Sequence, residues 1–218
     1  LRGGLNVAML ALFAFAIREL ALAEAYTLFF IAPLLITALS TVVLREKVRP
    51  AHWVAIVLGM VGVLVALRPN QEAFFTLGAL AVLAAATCYA VSAITGRMLT
   101  RTDSSASLVF WTTTLLALGA GALAWPQWVG VAQAHWPLVA GLAVTGFAGQ
   151  LAITEAFRHG QASVVAPFEY TALAWGMGLD WVLWQTVPGY STLLGGAIII
   201  GRGLYLVRQE RTQAVVPP

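Results

Sequence analysis

The 218 residues are 60% hydrophobic and only 10% charged, where a soluble globular domain carries roughly 25% charged residues. That shortfall excludes an ordinary water-soluble fold, and the net charge of +3 does not imply a nucleic-acid partner. The single Cys88, with His52, His135 and His159 far apart, excludes an internal disulfide and gives no basis for a metal site; no cofactor is expected.

Eight apolar stretches follow one another, each about long enough to cross a lipid core. They are residues 4–17, 24–44, 52–67, 77–95, 107–124, 138–156, 164–184 and 192–207. Ala and Leu dominate them and they do not alternate, so the expectation is helix throughout. Helices satisfy every backbone N–H and C=O within lipid. The fold class is therefore all-α, a polytopic membrane bundle of eight transmembrane helices. The breaks are short and chemically apt, as at Thr102-Asp103-Ser104-Ser105 and His159-Gly160-Gln161. There is no signal-peptide pattern and no initiator Met, so the chain is expected to begin inside a longer protein.

Cationic residues fix the orientation. One alternate set of gaps holds Arg2, Arg45, Lys47, Arg49, Arg97, Arg101, Arg158, Arg202, Arg208 and Arg211, and the other holds Arg18 and Arg68. Cytoplasmic loops retain Lys and Arg, so both termini are expected in the cytoplasm, in the cell inner (plasma) membrane. Trp125, Trp128, Trp136, Trp181 and Trp184 then gather near the outer boundary, where indole is favoured.

A repeat runs through the chain. Leu44-Arg45-Glu46-Lys47-Val48 closes the second stretch and Leu183-Trp184-Gln185-Thr186-Val187 closes the seventh, 139 residues later. Each is preceded by a helix with an internal proline, Pro33 or Pro167. Each is followed by a glycine-bearing helix, with Gly59 and Gly62 in one and Gly195, Gly196, Gly201 and Gly203 in the other. An offset of five helices is odd, so the copies have opposite orientation, an inverted repeat of the kind that builds many secondary transporters. With five-helix units, residues 1–70 carry the last three helices of the first, 71–210 a complete second, and 211–218 a cytoplasmic tail.

The chain resembles the drug/metabolite transporter superfamily, specifically its EamA-type members. The resemblance lies in Glu19-Leu-Ala-Leu-Ala-Glu-Ala-Tyr26, Phe30-Ile-Ala-Pro33, Leu44-Arg-Glu46, Gly59-Met-Val-Gly62, Ala166-Pro-Phe-Glu-Tyr-Thr171 and Gly195-Gly-Ala-Ile-Ile-Ile-Gly-Arg-Gly-Leu-Tyr205. It implies ten helices in two inverted five-helix units, of which this chain lacks the first two. It also implies transport of amino acids or other metabolites. Arg202 departs from the pattern, where a small residue is expected.

Polar groups at membrane depth are candidate sites. Glu169 and Asp180 lie eleven residues apart, which on one α-helix puts them within about 20° of each other and about 16 Å apart along the axis. Both are candidates for proton coupling and Glu169 for substrate contact; an interfacial position is the alternative for each. Arg202, at the depth of Glu169 on the adjacent helix, is expected to pair with it; the alternative is that it snorkels to the headgroups. Tyr26, Phe30, Tyr89, Gln150, Glu169, Tyr170 and Trp175 are the substrate-binding candidates, since aromatic faces with hydroxyls suit a small organic molecule near the midplane. The alternative is packing for the aromatics and back-bonding for hydroxyls of the same helices. Pro33 and Pro167 each remove a helix hydrogen bond and are expected to kink paired gate helices. Glu24 is read as a helix N-terminal group, Glu155 as a local interfacial charge beside Arg158, and Glu46 as a turn stabiliser. The glycines of the third and eighth stretches are read as packing residues.

The partners expected are a small-molecule substrate and the lipid bilayer, with proton coupling. No Walker A loop appears, and neither HExxH nor GxSxG stands at membrane depth, so an ATPase or a membrane enzyme is not expected. A secondary transporter working by alternating access is the leading reading. A structural or regulatory membrane subunit, or an inactive fragment, is the alternative. Substrate identity, direction and oligomeric state are not legible.

Overall fold

The computed structural model of the chain describes residues 1–68, 75–185 and 189–201, apart from the side chains of Gln127, Asp180 and Trp184. Every regular element among these residues is helical: α1 (Arg2–Ala16), α2 (Leu22–Phe29), α3 (Ala32–Val43), α4 (Pro50–Leu67), α5 (Leu77–Leu99), α6 (Ser105–Ala124), α7 (Trp136–His159), α8 (Ala162–Val165), α9 (Thr171–Trp184) and α10 (Tyr190–Gly201). Short 3-10 turns occupy Trp125–Gln127, Gln133–His135 and Ala166–Tyr170.

The helix ends follow from local chemistry. The Thr76 hydroxyl accepts from the Ala79 N–H at 3.1 Å to open α5, and the Ser104 hydroxyl accepts from the Ser107 N–H at 3.2 Å to open α6. Such caps satisfy donors that the helix leaves unpaired. Pro50 opens α4, where its missing N–H costs nothing. The Glu24 carboxylate reaches back to the Ala21 N–H at 3.1 Å, at the start of α2. Arg45 and Gln185, which follow α3 and α9, and Arg68, which closes α4, have positive φ.

Five spans are long and apolar enough to cross a membrane: Leu22–Val43, Pro50–Leu67, Leu77–Leu99, Ser105–Ala124 and Gln133–His159. Arg2–Ala16 and Tyr190–Gly201 are shorter apolar helices. The second and seventh stretches are each divided rather than continuous. The second breaks at Phe30–Ile31, with Pro33 in the first turn of α3. The seventh is α8, a 3-10 turn containing Pro167, and α9. A proline lacks the N–H for the preceding turn and its ring crowds the carbonyl four residues back.

Packing is antiparallel between α1 and α5. Arg2 lies against Gly96 at one end, and Leu20 and Glu19 lie against Gly78 at the other. α6 runs parallel to α1, with Gly3 against Leu115 and Gly119 against Val7. α4 and α10 approach so closely at Gly62 and Gly195 that a Cβ on Gly62 would stand 2.8 Å from Ile199 Cγ1 and 3.0 Å from the Gly195 carbonyl oxygen. Small residues permit such contact where lipid supplies little hydrophobic drive. Three apolar clusters form the core. One joins α1, α2 and α5 around Ala16, Leu28 and Val82; a second joins α3, α5 and α7 around Ile36, Ile94 and Phe157; a third joins α4 and α10 around Ile56, Val63, Tyr170 and Ile199. By contrast, α7 exposes Leu138, Leu142 and Val144 along its first half and buries only Thr154 and Phe157.

Candidate functional site

Three helices carry polar side chains on faces that meet toward one end of the bundle. On α5, Tyr89, Ser92, Gly96 and Thr100 recur at three- and four-residue spacing and so share one face. Arg2 and Asn6 do the same on α1, and Gln150, Thr154 and Phe157 on α7. Together with Leu116 of α6, these faces enclose a cavity of about 110 Å³. The Ser92 hydroxyl donates to Asn6 Oδ1 at 2.7 Å, tying α5 to α1 across it.

Glu169 stands behind one wall. The Tyr89 hydroxyl, on the cavity, donates to Glu169 Oε1 at 3.0 Å. On its other side, Glu169 borders a mainly apolar cleft with Ile153, Val165 and Phe168. Ile153 lines both spaces and separates them. The Tyr89 ring lies 5.6 Å from Phe29 at 44°, which fixes the phenol that the carboxylate receives.

The sequence candidates divide. Tyr89 and Gln150 line the cavity, and Glu169 touches it through Tyr89. Phe30 and Tyr170 pack on each other at 5.8 Å, centroid to centroid. Tyr170 is 1% exposed, and its hydroxyl has no hydrogen-bond partner among the described residues. Its ring fills the space left by the missing side chain of Gly59. Tyr26, 46% exposed, and Trp175, 74% exposed, are not brought to the cavity; Tyr26 packs edge-on against Phe13 instead. Asp180 lies on α9 with its side chain outside the described residues, and Arg202 lies outside them altogether. Glu169 and Asp180 share one face only on an unbroken α-helix, and the 3-10 turn at Ala166–Tyr170 interrupts it.

Several other polar groups serve the fold. The hydroxyls of Thr27, Ser40, Thr41, Thr87, Thr145 and Thr171 bond to carbonyls three or four residues back on their own chain, the usual sink for hydroxyls in apolar helices. Glu155 pairs with Arg158 at 3.8 Å and with His159 at 3.2 Å, all partly exposed. Glu46 does more than close its own turn. Its carboxylate accepts from the Ala162 N–H at 3.1 Å and from the Ser163 N–H and hydroxyl at 3.3 Å each, joining the end of α3 to the start of α8.

Two cavity residues were read from the sequence only as topology markers. Arg2 and Arg97 counted as loop cations, yet they belong to α1 and α5 and line the cavity. The signal lay in the spacing: Arg2 is one turn from Asn6, and Arg97 falls on the flank of the Tyr89–Ser92–Gly96 stripe.

Comparison with known proteins agrees with this architecture. The pseudopaline exporter CntI of Pseudomonas aeruginosa (strain UCBPP-PA14) is 27% identical over 212 residues, which are 96% of this chain and 74% of that protein. A riboflavin transporter of Vibrio cholerae serotype O1 is 31% identical over 180 residues, 82% of this chain and 60% of that one. A solved crystal structure superposes with a TM-score of 0.80 at 24% identity, over 96% of this chain and 77% of its own, a likeness of fold. Relatives of this kind are transporters rather than enzymes. The model of the EamA-like transporter family matches residues 2–68 and 76–208, nearly all of a chain whose apolar helices are built to span a membrane several times, and the protein belongs to that family.

Proposed function

We propose that this protein is a secondary transporter that carries a small organic metabolite across the inner membrane by alternating access. The observation that carries the reading is the cavity with polar side chains between the otherwise apolar helices α1, α5, α6 and α7, with Tyr89 in its wall and Glu169 bonded to Tyr89 from behind. Polar groups held at such depth are costly and are a mark of a substrate or ion path. Tyr89 and Gln150 are the substrate contacts, and Glu169, bonded to Tyr89 from behind the wall, is the candidate proton carrier.

The inverted repeat supplies the moving parts. α3 with its Pro33 turn and α8 with its Pro167 turn touch one another, as do α4 and α10 through Gly62 and Gly195. Helices related by a two-fold axis in the membrane plane meet in this way when the axis passes between them. The two family-matched stretches, 2–68 and 76–208, divide the chain near the same point. Rocking of one unit on the other about the broken helices would open the cavity to alternate sides. The end bearing Arg2, Arg97 and Arg158 is taken as cytoplasmic, with both termini, from the charge asymmetry.

The test is solute flux into proteoliposomes containing the purified protein, across a panel of amino acids, amines, nucleotides and vitamins, with and without a pH gradient. Flux that falls at least about tenfold in Tyr89→Phe or Glu169→Gln, and holds in Trp175→Ala, is expected. No flux of any solute would sink the transporter reading; flux indifferent to the pH gradient would remove the proton.

A further inference from the structure

The cavity wall contains two guanidinium groups and no carboxylate. Arg2 enters from α1 and Arg97 from α5, while Glu169 is held outside the lining behind Tyr89. Among the described residues, Arg2 Nε and Nη1 and Arg97 Nε are buried without a hydrogen-bond partner. These three nitrogens are closed to the cavity space as well as to solvent, so it is the charge of the two guanidiniums, matched by no acid in the lining, that calls for an anion.

Both groups are held in place. Arg97 Nη1 donates to the Arg158 carbonyl at 2.6 Å, at the end of α7. The Arg2 guanidinium lies flat over Gly96, where a Cβ would stand 3.1 Å from its Cζ and 3.3 Å from its Nε. Glycine at 96 is thus what gives Arg2 its room. Guanidinium is planar, stays charged and matches an oxyanion through paired N–H donors. A cavity of about 110 Å³ has room for a carboxylate.

We propose that Arg2 and Arg97 form an oxyanion site that seats the carboxylate of the transported solute. The proposal rests on the transporter reading and narrows its substrate to carboxylic acids, amino acids among them. The same N–H groups would also donate to a lipid phosphate, so the test separates the two sources.

The purified full chain is placed in phosphatidylcholine nanodiscs. Its thermal midpoint is measured with probe pairs that differ only in the carboxylate: phenylalanine and phenylalaninamide, lactate and lactamide, succinate and succinamide. The acid of at least one pair should raise the midpoint where its amide does not. Arg2→Gln and Arg97→Gln should each weaken that binding by about tenfold or more. Arg2→Lys keeps the charge without the fork and should retain part of it. Gly96→Ala keeps both arginines, and the weakening it causes reports displacement of the Arg2 guanidinium; size-exclusion and circular dichroism establish that each variant is folded. Equal shifts for acids and amides, no shift with any acid, or acid binding unchanged in the arginine variants would overturn the site. So would an arginine-dependent shift produced by adding phosphatidylglycerol to the discs and absent with soluble acids, which assigns the donors to lipid. Flux of neutral solutes without acid-selective binding leaves the transporter reading standing and removes only this site; acid-selective binding without flux does the reverse.

Discussion

Removing one oxygen tests the link between the cavity and Glu169. In Tyr89→Phe the ring keeps its place against Phe29, 5.6 Å away, and only the hydroxyl that donates to Glu169 at 3.0 Å is lost. A hydrogen bond to an ionised group contributes roughly 1.5–3 kcal/mol and a neutral one roughly 0.5–1.5. At 3.0 Å the O–H···O contact is at the long edge of the usual range, so the lower part of whichever interval applies is expected. For an ionised Glu169 that is a loss of about 1.5–2 kcal/mol. The assay is a double-mutant cycle with Tyr89→Phe and Glu169→Leu, read by denaturant unfolding in mixed micelles with tryptophan fluorescence. A coupling of about 1 kcal/mol or more is expected. A coupling within about 0.5 kcal/mol, the ordinary scatter for independent sites, would refute the pairing and detach Glu169 from the cavity. A value near the neutral interval would identify a protonated Glu169, and repeating the cycle at several pH values would locate its titration.

Two further substitutions probe the joints between the halves. Glu46→Ala leaves the Ala162 and Ser163 donors without their carboxylate and should cost about 1–3 kcal/mol, with Glu46→Gln intermediate, as measured by unfolding; a change below about 0.5 kcal/mol would show that the contact holds nothing together. Gly59→Ala puts a methyl against the Tyr170 ring, 2.7 Å from Cε2 and 2.9 Å from Cγ. Overpacking of this kind costs about 1–3 kcal/mol. The same change in a Tyr170→Ala background should cost little, and an equal cost in both backgrounds would mean that Tyr170 is not what Gly59 accommodates.

Much of the site was readable in part. Glu169 is marked by the cost of a carboxylate in lipid and Tyr89 by an aromatic hydroxyl on an apolar helix; Tyr89 lines the cavity and Glu169 bonds to it from behind. Tyr26 and Trp175, singled out because they flank the prolines of the paired helices, are exposed and do not line the cavity. An aromatic on a membrane helix serves lipid as well as it serves a ligand, and composition does not say which way it turns. Arg2 and Arg97 were hidden by a stronger signal: a cation at a helix end reads as topology whether it points to water or inward. The Glu46 contact with residues 162 and 163 spans more than a hundred positions, and no local pattern carries it.

The sequence by itself determined the solvent, the secondary structure and the family. Sparse charge and long apolar runs leave helices in lipid as the only way to satisfy the backbone. Proline positions told where the second and seventh stretches must yield, at Pro33 and Pro167, though not that the yield would be a full break at Phe30–Ile31 and a 3-10 turn over Ala166–Tyr170. Tertiary structure alone decided which polar side chains meet. That depends on the rotation and close approach of helices distant in sequence, set by small residues such as Gly3, Gly62, Gly96 and Gly119. These determine which faces turn inward, and so bring Arg2, Tyr89, Arg97 and Gln150 around one cavity.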